Sequence, residues 1–209
     1  YAISVVNGTA ALQIALKLAG VQANDEVLVP ALTFVATANA VTHCNAVPHF
    51  VDSEELTLGI DALKLREYLR ANSSQHSGLC INNNTGRVIR ALVPMHTFGH
   101  PSDLEGLLSI AHDFNLVIVE DAAESHGLLY KGKRCGSFGL VSTFSFYANK
   151  HLTTGEGGMI LTSDTDINDR AVMLRNLCFN TERRFLHYEL GYNLMDGIIP
   201  SISSDSEEL

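Results

Sequence analysis

One lysine stands between an apolar run and a run of glycines. Lys150 follows Ser142-Thr143-Phe144-Ser145-Phe146-Tyr147-Ala148-Asn149 and precedes Gly155, Gly157 and Gly158. A lysine shielded from water, or set beside another cation, sheds its proton more readily and can serve as nucleophile and base. Taken alone, a lysine beside a turn is most often a surface lysine. A second position of interest is Asp121, which closes the run Leu116-Val117-Ile118-Val119-Glu120 and is followed by Ala122 and Ala123. A carboxylate at the end of a buried strand needs a cationic partner, and a protonated ring nitrogen of a cofactor would supply one. The plainer alternative is an aspartate that caps the next turn. The third position is Asn7-Gly8-Thr9-Ala10-Ala11, where a strand gives way to a helix. Free N–H groups and the helix dipole make such a junction a place for a phosphate. Gly8 lets the backbone approach closely, and Thr9 offers either a helix cap or a hydroxyl to the phosphate. The junction is neither G-x-x-x-x-G-K-[ST] nor G-x-G-x-x-G, which argues against a nucleotide P-loop and a dinucleotide fold.

These positions need elements to hold them, and the pattern of apolar residues supplies strands and helices in alternation. Short strands are expected at Tyr1 to Val6, Glu26 to Val29, Val47 to Val51, Ile89 to Pro94, Leu116 to Val119, Val141 to Phe146 and Met159 to Thr162. Helices are expected at Thr9 to Leu18, Phe34 to Val41, Asp61 to Leu69, Leu104 to Phe114 and Ile167 to Arg175. Ala71 to Gly86, with Asn82-Asn83-Asn84, reads as an exposed loop or insertion. The alternation implies an α/β fold, a mainly parallel sheet flanked by helices on both faces. In such sheets ligands sit at the carboxyl ends of strands, and the three positions above all follow strands.

The 209 residues suit one domain or one and a half. A net charge of −9, from 14 basic and 23 acidic residues, argues against a nucleic-acid surface. No stretch approaches 18 consecutive apolar residues, so no membrane span is expected. The cysteines at 44, 80, 135 and 178 include no C-x-x-C pair and read as reduced thiols of a cytoplasmic protein, with no metal knuckle. His96 follows a strand end and reads as a packed histidine as readily as a substrate contact. The missing initiator Met and the acidic stretch 196–209, with Asp196, Asp205, Glu207 and Glu208 and no base, give the chain the look of a fragment with a disordered tail.

In their order and separation, several segments together resemble the sugar aminotransferases of the DegT/DnrJ/EryC1/StrS group, which are fold-type I pyridoxal-phosphate enzymes. They are Asn7 to Leu12, Pro30 to Thr37, Glu120 to Gly127, Ser142 to Gly158 and His187 to Asn193. The resemblance covers about residues 1–195. It implies the large, cofactor-binding domain of an aspartate-aminotransferase-like fold, without the small C-terminal domain that follows in the family. Pyridoxal 5'-phosphate would be the cofactor, with Lys150 as its Schiff-base lysine and Asp121 paired to its pyridine nitrogen. Phe34 would stack on the ring, and Glu124, at a position often Gln in the family, would contact the phenolic oxygen. Gly8, Thr9, Ala10 and Ser145 would cradle the phosphate, and Asn193 would reach the phosphate of a neighbouring subunit in a homodimer.

The same resemblance implies a glutamate donor and a nucleotide-linked keto-sugar acceptor. Asn180 to Phe185 and the residues after it lean toward amination at C4 of a UDP- or GDP-linked 4-keto-6-deoxysugar, for surface polysaccharide or nonulosonic-acid synthesis. Two departures stand out. Leu194-Met195-Asp196-Gly197 replaces the family's Arg-Met after Gly-Tyr-Asn, and the small domain is absent. They leave open a cofactor-binding remnant or interaction module without activity. A pyridoxal-dependent sugar dehydratase is a weaker alternative, because those relatives carry histidine where Lys150 stands.

Overall fold

The computed structural model describes residues 1–179 and 183–195. The expected tail at 196–209 and the residues Asn180 to Glu182 lie outside this range.

The chain begins with β1 (Ala2–Val5), turns at Asn7 and enters α1 (Gly8–Leu18). Asn7 caps this helix by accepting the Ala10 N–H at 2.9 Å. Next come β2 (Glu26–Pro30), α2 (Val35–His43), β3 (Val47–Val51) and α3 (Ala62–Asn72). A hairpin of β4 (Ser73–His76) and β5 (Leu79–Asn82) follows, then β6 (Val88–Leu92), α4 (Leu104–Phe114) and β7 (Val117–Asp121). A two-residue-per-strand hairpin, β8 (Leu129–Tyr130) with β9 (Lys133–Arg134), precedes β10 (Val141–Ser145), β11 (Gly158–Leu161) and α5 (Thr165–Arg175).

The main sheet runs β1-β11-β10-β7-β6-β2-β3. The pairs from β10 through β7, β6 and β2 to β3 are all parallel. β11 runs against both its neighbours, so β1 points the same way as β10. Successive strand residues face opposite sides, and the core divides accordingly. Val27, Val29, Val119 and Ile160 pack with α1, α2 and α5 on one side. Leu28, Ile89, Leu92 and Ile118 pack with α3 and α4 on the other. Strands buried on both faces explain the unbroken apolar runs in the sequence.

The expectation of a loop at Ala71 to Gly86 is corrected by the hairpin, in which β5 pairs antiparallel with the start of β6. Most of its polar residues are exposed, and the one that is buried, Asn82, is held by hydrogen bonding rather than by apolarity. Asn82 Nδ2 donates to Glu26 Oε2 at 2.8 Å, and Thr85 Oγ1 donates to Glu26 Oε1 at 2.6 Å. The four cysteines are buried free thiols, and burial pushes the thiols of Cys44 and Cys135 up to about 11. No helix among the described residues is long and apolar enough to cross a membrane.

Candidate functional site

The carboxyl ends of β1, β2, β6, β7 and β10 share one edge of the sheet, and β11 enters from that edge. There a cavity of about 360 Å³ opens, lined by Gly8, Thr9, Phe34, Asp121, Glu124, Ser145 and Lys150 among others. Seven of the nine residues singled out in the sequence therefore meet around one space. Ala10 does not: it is buried in α1 and its N–H is engaged by Asn7. Asn193 is exposed and does not line the cavity of its own chain; its backbone bridges Asn176 at the end of α5.

Asp121 is the last residue of β7 and is 3% exposed. Its Oδ2 accepts from Thr37 Oγ1 at 2.8 Å, and its Oδ1 accepts from the Ala123 N–H at 3.2 Å. Thr33 Oγ1 donates in turn to Thr37 Oγ1 at 3.0 Å, so the Thr37 hydroxyl is committed to the carboxylate. Burial nevertheless outweighs these bonds and the nearby charge of Lys150, and pushes the Asp121 carboxyl above the usual range. The group is thus short of positive charge, and a cation placed against it in the cavity would restore its ionised form.

The Lys150 ammonium donates to Glu124 Oε1 at 3.0 Å and lies 5.8 Å from the centre of the Phe34 ring. Glu124 Oε2 accepts the Phe98 N–H at 3.0 Å. Phe34 is the residue before α2 and is 62% exposed, so one face of its ring is open to a ligand. Behind Lys150, His126 packs against Phe144 and Phe146, with ring centres 5.3 and 5.5 Å away. Burial first, then the charges of His151 and Lys150, hold the His126 ring below the ordinary histidine range.

At the other end of the cavity the first turn of α1 faces Ser145. A Cβ added to Gly8 would stand 2.8 Å from Ser145 Cβ, so only glycine allows this approach. The turn combines Thr9, helix N–H groups and the positive end of the dipole, a chemistry suited to a phosphate. An amine, a cation-deficient carboxylate, an open aromatic face and an anion cradle around one cavity match the four parts of pyridoxal phosphate: aldehyde, ring nitrogen, ring plane and phosphate.

His96 and Glu120 lie outside the cavity. Ser102 donates its N–H to His96 Nδ1 at 3.2 Å, which leaves Nε2–H to donate to Glu120 Oε1 at 2.8 Å. Burial works to raise the Glu120 carboxyl, but His96 and the N–H groups of Gly136 and Phe138 outweigh it and hold the group low. The pair, fully buried, ties the loop after β6 to β7. Among residues that sequence reasoning missed, Thr37 is the clearest. It sits one helical turn after Phe34, where its N–H bonds the Phe34 carbonyl at 3.1 Å. A hydroxyl one turn beyond a cavity-lining aromatic was the available signal.

Comparison with known proteins places this geometry in a family. The model of the DegT/DnrJ/EryC1/StrS aminotransferase family matches residues 1–202. GDP-perosamine synthase of Caulobacter vibrioides is 39% identical over 193 residues, covering 92% of this chain and 48% of that protein. A putative pyridoxal phosphate-dependent aminotransferase of Bacillus subtilis, EpsN, is 33% identical over 192 residues, covering 92% of this chain and 47% of its own length. The crystal structure of Streptomyces venezuelae DesV with a ketimine intermediate superposes with a TM-score of 0.79 at 36% identity, covering 92% of this chain and 47% of that one. The chain spans about half the length of the relatives it matches. Pyridoxal 5'-phosphate is the cofactor of these enzymes. The chain described here belongs to the DegT/DnrJ/EryC1/StrS aminotransferase family.

Proposed function

We propose that residues 1–195 form the cofactor-binding large domain of a cytoplasmic enzyme that moves an amino group from glutamate to a nucleotide-linked keto-sugar. The acceptor position is C4 of a GDP- or UDP-linked 4-keto-6-deoxysugar, for surface polysaccharide or nonulosonic-acid synthesis. The observation that carries the reading is the meeting of Lys150, Asp121 and Phe34 around one cavity at the carboxyl edge of the sheet. The similarity to GDP-perosamine synthase supports the sugar assignment.

When bound, pyridoxal phosphate supplies an electron sink for the carbon that gains or loses a proton. Asp121 would pair with the ring nitrogen and hold its proton, and Thr33 and Thr37 hold the carboxylate in direction. Lys150 would hold the cofactor and, as a free amine, would hold and move the proton at the substrate carbon. Phe34 would fix the ring plane. Gly8, Thr9 and Ser145 would hold the phosphate, with Ala10 giving shape to the turn rather than a free donor. Asp121, Glu124 and Glu156 against Lys150 leave the lining short of positive charge for anionic substrates. The reading therefore includes a homodimer in which a second copy completes the site, with Asn193, exposed and away from its own chain's cavity, offered to the neighbour's phosphate as a neutral donor.

The test begins with the 209-residue chain, pyridoxal phosphate and borohydride reduction, followed by peptide mapping. The expected label is on Lys150, and a label elsewhere, or none, overturns the site. The whole protein, given 15N-glutamate and the GDP-linked 4-keto-6-deoxysugar, is expected to place the label at C4. A product labelled at another ring carbon keeps the enzyme class and removes the proposed regiochemistry.

A further inference from the structure

Phe98 is held in a backbone conformation that a bulky residue seldom adopts. Its φ of 53° and ψ of 27° are left-handed. Its ring is 71% exposed, so packing does not offset the strain. Gly99 follows at φ +80°, and a Cβ added there would stand 3.2 Å from the Glu124 carbonyl oxygen. Strain of this kind persists where the surroundings over-determine it. One side of those surroundings is His96, fixed by Ser102 and Glu120, whose carbonyl accepts the Gly99 N–H at 3.1 Å. The other side is Glu124. One of its oxygens takes the Phe98 N–H and the other takes Lys150 Nζ, each at 3.0 Å.

We infer that Glu124 is a two-ended positioning residue, aiming the Lys150 amine into the cavity and passing the state of that amine to the strained turn Thr97–Gly99. The functional meaning rests on the reading of Lys150 as the reacting amine; the mechanical coupling does not. While Lys150 is an ammonium held by Oε1, the carboxylate is fixed from two directions, and Oε2 is presented to Phe98 without freedom to rotate. When Nζ is drawn into other chemistry, the carboxylate keeps one tether. The turn then loses the rigid acceptor that offsets its strain, and the exposed Phe98 ring moves with it. A carboxylate suits this double duty because both its oxygens accept. An amide in the same place keeps one acceptor and turns a donor toward the lysine.

The test is residue-resolved amide hydrogen exchange on the 209-residue chain without cofactor. Glu124→Ala is expected to speed exchange at Phe98 roughly tenfold, the equivalent of one ordinary hydrogen bond. Glu124→Gln, which keeps an acceptor for that N–H but loses the tether to the lysine, is expected to speed exchange about threefold, less than Glu124→Ala. Lys150→Met is expected to speed Phe98 exchange by about threefold or more, although no hydrogen bond joins the two residues. Exchange at Val119, buried in β7, reports whether each variant has folded.

Unchanged Phe98 exchange in folded Glu124→Ala means that the turn holds itself, and unchanged exchange in Lys150→Met means that the two ends are independent. Either result overturns the inference, as does a Glu124→Gln variant that exchanges as fast as Glu124→Ala. Failure of borohydride labelling at Lys150 would remove the aminotransferase reading and leave these rates as they are, so the two failures are distinguishable.

Discussion

Asp121 carries the sharpest consequence at the level of a single residue. Burial raises its carboxyl in the folded chain, so the folded state binds that proton more tightly than the unfolded state. The resulting stability is full below the unfolded value, about 3.9 for aspartate, and is lost as pH rises through the folded value. Asp121→Asn removes the cost of burying a charge and can keep hydrogen bonds with Ala123 and Thr37. In thermal melts without cofactor, the variant is therefore expected to gain on wild type as pH goes from 4 to 7. Saturating pyridoxal phosphate is expected to reverse that order at pH 7, because only the carboxylate offers the ring nitrogen a counter-charge. Equal stabilisation of both proteins by the cofactor would argue against the pairing. At this scale part of the candidate site was legible from sequence, since Lys150 and Asp121 were marked by residue type and by place after strands, whereas Phe34 was marked only through the family resemblance. The engagement of the Ala10 N–H was not readable, and the spacing of Thr37 after Phe34 was a signal but not enough by itself, because hydrogen bonds decided at short range settle which N–H is taken and which hydroxyl is turned inward.

Elements explain how the cradle keeps its shape. β11 enters beside Asn7, and a Cβ on Gly158 would land on the Asn7 carbonyl carbon and oxygen. Those atoms are backbone between β1 and α1, with little room to yield. Gly158→Ala is expected to cost about 1–3 kcal/mol of stability, the usual range for overpacking. Asn7→Ala, which removes the helix cap, is expected to cost about 0.5–2 kcal/mol. Urea denaturation of the two variants checks both figures, and a neutral Gly158→Ala would mean that the close approach is not required. The strands and helices of the main sheet could be read from periodicity because each buries an apolar face. The hairpin of β4 and β5 could not, since Ser73 to His76 carry no apolar alternation and Asn82 is buried through Glu26. The β8–β9 hairpin has two residues per strand, too few for any period to show.

The whole molecule leaves apolar side chains exposed at its cavity and near it in sequence. Phe34 and Tyr147, which line it, are 62% and 48% exposed, and Leu152, two residues past Lys150, is 60% exposed. Clusters of this kind mark surfaces that another molecule covers. The full-length protein is expected to sediment as a dimer, and Leu152→Glu is expected to shift it toward monomer and weaken cofactor retention. A dimer indifferent to the substitution would put the interface elsewhere. The antiparallel strand has a further consequence, for biosynthesis. Among the described residues β1 pairs only with β11, Ala2 opposite Leu161 and Val5 opposite Gly158. A nascent chain leaving the ribosome from its amino end must therefore carry Ala2–Val5 unpaired until residue 161 has emerged. The first turn of α1 and Lys150 are then brought together late, and a chain cut short before β11 would have the parallel strands in place but an unfinished cavity.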